Sequence, residues 1–166
     1  MVLTLIKGDV MNFSLLLPKQ FDNQYRGNKI ALWMFVVITL IFMGRSLIHV
    51  FAADGGAQSI ATIPLDLWSA DAAKTLISMF AFWGLVQVMM AGLNIVALVR
   101  YKSMIPLLYL VMVITQLGRI GIGQWKPVVT QGTAPAAALT FYLLAFLTLG
   151  LLLSLIPNQQ TQNRSL

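Results

Sequence analysis

Apolar residues fall along this chain in four long runs, separated by short polar stretches that carry most of the charge. The runs cover roughly residues 30–53, 72–99, 104–123 and 136–156. At about 1.5 Å per helical residue each is long enough to cross a bilayer or nearly so. The pattern predicts an all-α, four-helix transmembrane bundle. Before it lies a mixed leader, residues 1–29, whose apolar pieces MVLTLI and SLLLP are too short to span. After it comes a polar tail, residues 157–166.

Start and stop signals agree with the runs. Ser69 is a plausible N-cap for the second, with Asp71 in the first turn, where the helix dipole favours an anion. Pro135 opens the fourth, where its missing N–H costs nothing. The stretch between the first two runs, Asp54 to Ala70, holds Gly55, Gly56 and Pro64. Its segment Ile63–Trp68 is amphipathic enough to form a short cap over the bundle mouth. Gly84, Gly92, Gly118 and Gly121 are expected at close helix approaches, and Gln87 and Asn94 as interhelical hydrogen-bonders.

Composition sharpens this picture. Of 166 residues, 58% are hydrophobic and 10% charged, far too few charges for a water-exposed surface. The net charge of +6 is spread over helix ends, not gathered into a basic patch, so nucleic acid is not an expected partner. Cysteine is absent, which removes disulfides, thiolate metal sites and cysteine nucleophiles together. One histidine cannot build a multi-histidine metal site. No basic start, apolar core and small-residue cleavage site mark a signal peptide, and Met11 is a second possible start.

Charge distribution predicts orientation. Lys19, Arg26 and Lys29 precede the first run, Arg100 and Lys102 join the second and third, and Arg164 lies in the tail. The opposite connections hold Asp54, Asp66 and Asp71. The positive-inside rule therefore puts both termini in the cytoplasm, with Trp68 and Trp125 near the outer boundary and Trp33 and Tyr101 near the inner one.

Charge within a span needs a reason. Arg45 and Arg119 each lie about 22 Å from the inner end of parallel helices, hence at matching depth. His49 is one turn beyond Arg45, Gln116 just under one turn short of Arg119, and Tyr142 descends to a similar level from the fourth helix. Together Arg45, His49, Gln116, Arg119 and Tyr142 form a candidate ligand site open to the outer side. Its arginines would hold a carboxylate, a phosphate head group or a quinone-like carbonyl. The plainer alternative is that both arginines snorkel outward and pair with the loop aspartates. His49 is expected as a hydrogen-bonding partner and not as a haem or pigment ligand, so no cofactor is implied. No acid sits at depth and no catalytic constellation is visible, which argues against an enzyme and against proton-coupled transport.

Phe21–Lys29 with Ala31-Leu32-Trp33 resembles a group of small bacterial four-span membrane proteins. Ile63-Pro64-Leu65-Asp66, Val99–Ser103 with Ile105-Pro106, and Leu153-Ser154-Leu155 fit the same pattern. The resemblance implies a multi-pass protein of the bacterial inner membrane, of proteobacterial type, and carries no catalytic residue with it. A looser likeness to DoxX-like proteins is architectural only. Asp22, Tyr25 and Arg26, with Arg100 and Tyr101, form either a lipid-anchoring entry turn or a partner-docking epitope. Two roles follow. The leading expectation is a non-enzymatic accessory or scaffold subunit of a larger membrane complex or homo-oligomer. The competing one is a binder or carrier of a small anionic or lipid-like ligand.

Overall fold

The computed structural model describes residues 11–158. Among them there is no strand: the chain is all-helical, built on four principal helices. α1 spans Lys29–Phe51, α2 Ala70–Arg100 and α3 Ile105–Trp125; a one-turn α4, Pro135–Ala138, leads into α5, Thr140–Ser154. α1, α2 and the stretch Lys102–Trp125 are each long and apolar enough to cross a membrane. We call the end where the described chain begins and finishes proximal, and the opposite end distal.

Local chemistry starts each helix. Asn28 Oδ1 accepts the Ile30 N–H at 2.8 Å, capping α1, and Ser69 Oγ accepts the Ala72 N–H at 3.3 Å, capping α2. Pro106 stands in the first turn of α3. The fourth apolar run departs from the single helix expected over 136–156. It breaks at Leu139, and Gln116 Nε2 of α3 donates to the Thr140 carbonyl at 3.2 Å there. A carbonyl at a helix start is thus bonded from a neighbouring helix.

The core lies towards the proximal end. Ala31, Phe35 and Ile38 of α1 meet Ile105, Leu108, Tyr109 and Met112 of α3 and Leu147 of α5. Tyr109 is fully buried, donates to the Ala31 carbonyl at 2.8 Å and meets Phe35 edge-on at 5.1 Å. Gly150 makes room for that ring: a Cβ there would stand 2.5 Å from it. A second, smaller core of Ala57, Ile63 and Leu65 seats the α1–α2 connection on Ala73, Leu76, Ile77 and Phe80. Its Leu65–Leu67 turn is a 3-10 helix.

Of the glycines expected at close approaches, only Gly84 makes one. A Cβ on it would lie 2.6 Å from that of His49, whereas Gly92, Gly118 and Gly121 have nothing within 4 Å. The reason is that α2 and α3 line a cleft in place of packing along their length, and Gly118 and Gly121 turn away from every neighbour.

The leader from Asn12 onwards is a strap across the proximal end. Its backbone bonds the C-terminal turn of α5, Asn12 N–H to the Leu155 carbonyl at 2.8 Å and Asn28 N–H to the Leu153 carbonyl at 3.3 Å. MVLTLI, by contrast, lies outside the described residues, as does most of the polar tail.

Candidate functional site: an arginine pair on a shared indole

Trp83 of α2 is the centre of the distal half. The guanidinium carbon of Arg45 lies 5.5 Å from its ring centroid and that of Arg119 lies 5.2 Å away. Both are within cation–π range, so two helices present their cations to one aromatic face system. Sequence reasoning brought the two arginines to one level but missed Trp83. The available signal was that, of four tryptophans, it alone sits well inside an apolar run.

His49 fixes Arg45. Arg45 Nε donates to His49 Nε2 at 3.3 Å, and His49 Nδ1 lies 2.7 Å from the Gly55 carbonyl. A carbonyl only accepts, so this network assigns the proton to Nδ1 and leaves Nε2 as acceptor. The imidazole is 3% exposed, stacked at 5.2 Å on Trp83 and edge-on at 5.6 Å to Phe80. Gly84 lets α2 approach closely enough for that stacking. Both ring nitrogens are engaged within the protein.

The loop aspartates do not neutralise the pair. Asp54 accepts the N–H groups of Gly56, Gln58 and Ser59 at 2.9, 3.1 and 2.7 Å. Burial pushes its carboxyl up, but those bonds outweigh burial and hold it at about 2. Asp66 accepts from the Gln58 side chain at 3.4 Å. The one ion pair among the described residues is Arg26–Asp22, at the other end of the bundle. Snorkelling with aspartate pairing is therefore not the arrangement found.

Three cavities adjoin the cations. One of about 110 Å³ runs along α2 and α3, walled by Arg45, Trp83, Gln87, Asn94, Thr115 and Arg119. A larger one, about 450 Å³, lies against α1 and α5, with Ile38, Ile41, Phe42, Leu143 and Phe146 giving it an apolar wall. A third, about 270 Å³, reaches Gln124 and Phe141. Gln116 and Arg119 border all three. Gln116 is 4% exposed and spends its amide N–H on Thr140, so it positions α5 as well as lining the site. Tyr142 borders the largest cavity but is 75% exposed, on the rim and not inside.

Gln87 and Asn94 do not behave as expected. Gln87 Nε2 and Asn94 Oδ1 are buried with no hydrogen-bond partner, and Asn94 Nδ2 reaches only the Met112 sulfur at 3.9 Å. Two helices that diverge leave interhelical amides without a reciprocal group.

The proximal residues singled out in the sequence meet one another. Ser103 Oγ accepts the Asp22 N–H at 2.8 Å and donates to the Asp22 carbonyl at 3.0 Å, while Lys102 Nζ donates to Asn23 at 3.2 Å. Arg26 forks onto the Asp22 carboxylate and holds it below the usual range. Tyr25 turns into the core, where burial pushes its phenol up. Arg100 stays exposed and Tyr101 half-buried. No family model, curated protein or solved structure matches the chain.

Proposed function

We propose that this chain is a non-enzymatic integral protein of a bacterial inner membrane that binds an anionic, lipid-like molecule at Arg45 and Arg119. It crosses the bilayer four times with both termini in the cytoplasm, in keeping with its likeness to small bacterial four-span proteins. The observation that carries the binding role is the pair of cations sharing Trp83 with no carboxylate beside them. Like charges in a low-dielectric setting repel, and an anion between them relieves that repulsion while accepting several N–H bonds. Apolar walls on the adjoining cavities suit a tail.

Native mass spectrometry of the full chain in mild detergent tests this. The wild type is expected to retain an anionic amphiphile, and Arg45→Gln with Arg119→Gln to lose affinity roughly a hundredfold or more. A wild-type chain that holds none overturns the reading.

Orientation rests on Lys19, Arg26, Lys29, Arg100 and Lys102 at the proximal end against Asp54, Asp66 and Asp71 at the distal end. In an Arg100→Cys variant the thiol should react with impermeant reagent only from the cytoplasmic side; reaction from outside reverses the topology.

The accessory role has its own support. Phe82, Val86, Met89, Leu93 and Val96 make one exposed apolar stripe down α2, spaced four and three residues apart. Such a seam suits a partner helix in a larger membrane complex or a second copy. Co-purification with a defined complex that is lost on Met89→Lys is the expected outcome, and purification of the wild type as a lone monomer counts against it.

A further inference from the structure

The arginine pair occupies only the distal end of the 110 Å³ cavity. Its far end is walled by the two side-chain amides that have unspent hydrogen-bonding capacity. Asn94 is 3% exposed, so its free oxygen is sealed from bulk solvent and faces this cavity alone. Buried polar groups are normally bonded, and an unbonded one lining a cavity marks a place for a missing partner. We propose that Gln87 and Asn94 form a second subsite, which takes an uncharged hydroxyl or amide carried on the tail of the anion held by Arg45 and Arg119. This rests on the head-group reading above and specifies the ligand further.

Spacing along α2 sets where the polar group must lie. Gln87 is one turn below Trp83, and Asn94 is eleven residues below it. That is a rise of about 16 Å, the span of an extended chain of about a dozen carbons. The two amides lie about 10 Å apart along α2, so one hydroxyl serves one of them, donating to Asn94 Oδ1 or accepting from Gln87 Nε2. A plain hydrocarbon tail would leave both amides unbonded. The cavity is thus selective against the commonest kind of acyl chain, and the ligand class is an anionic amphiphile with a remote hydroxyl or amide.

The full chain in neutral detergent can be titrated with dodecanoate and with ω-hydroxydodecanoate. The hydroxylated acid is expected to bind roughly five- to tenfold more tightly, the value of one net hydrogen bond. Asn94→Leu should erase that preference. Asn94→Val, with a smaller apolar side chain, should do the same and provides a second variant should Asn94→Leu fold poorly. Equal affinity of the wild type for the two acids, or a preference that survives both substitutions, overturns the subsite and leaves the head-group reading standing. Failure of either acid to bind, or binding indifferent to Arg45→Gln with Arg119→Gln, overturns the head-group reading and the subsite with it.

Discussion

The core and the cleft of this bundle treat buried polarity in opposite ways. At the proximal end Tyr109 reaches the Ala31 carbonyl, Ser103 both accepts from and donates to Asp22, and Arg26 is paired with Asp22. The buried Tyr25 and Thr39 hydroxyls are exceptions there. In the cleft two cations at the distal end have no anion, and Gln87 and Asn94, progressively nearer the proximal end, have amide atoms with no partner. Core and cleft are two halves of one set of apolar helices. The half with the core is closed on itself; the half with the cleft leaves polar groups unmet. The contrast teaches that the same helices satisfy polar groups where they pack closely and leave them unmet where they part.

The largest effect should come from disturbing the closed half. Gly150→Leu drives a side chain into the Tyr109 ring, and thermal unfolding in detergent should show a loss of about 3 kcal/mol. An unchanged midpoint would mean that α3 and α5 are not in close contact. Next come two buried polar groups expected to respond with opposite sign. Tyr109→Phe removes a made hydrogen bond and should cost about 1 kcal/mol. Asn94→Leu removes an unmade one and should be neutral or stabilising by up to about 1 kcal/mol in the ligand-free chain. If Asn94→Leu costs as much as Tyr109→Phe, the cleft and the core do not differ in the way described.

Acid should produce the smallest effect. Asp54 has a folded value of about 2 against 3.8 ordinarily, so its contribution is complete above 3.8 and fades as pH falls towards 2. Hydrogen exchange at the Gly56, Gln58 and Ser59 amides should quicken across that window, and Asp54→Asn should show the quickened rate at neutral pH. Protection that persists unchanged in Asp54→Asn would remove the carboxylate from any part in holding the loop.

Much of the architecture was legible because length and hydrophobicity alone decide where an apolar run becomes a helix. The Arg45–His49 pairing follows from a four-residue spacing, and the level shared with Arg119 from equal counts along parallel helices. Trp83 was not legible in the same way, since an aromatic among apolar neighbours gives no contrast. Nor was the fate of Gln87 and Asn94: a sequence shows an amide but not whether the opposite helix comes near enough to bond it. The break at Leu139 had no proline or glycine to announce it. It coincides with a bond from Gln116 of another helix to the Thr140 carbonyl, more than twenty residues away in sequence.

His49 is the chain's single histidine, and its place is tightly specified. It joins an acceptor outside the helix, the Gly55 carbonyl, to a donor within it, Arg45 Nε. Few side chains present a donor on one edge and an acceptor on the opposite edge of a rigid plate. Imidazole therefore acts as a spacer of fixed length, and the turn at Gly55 thereby sets the angle at which the Arg45 cation, six residues before the end of α1, is offered to Trp83.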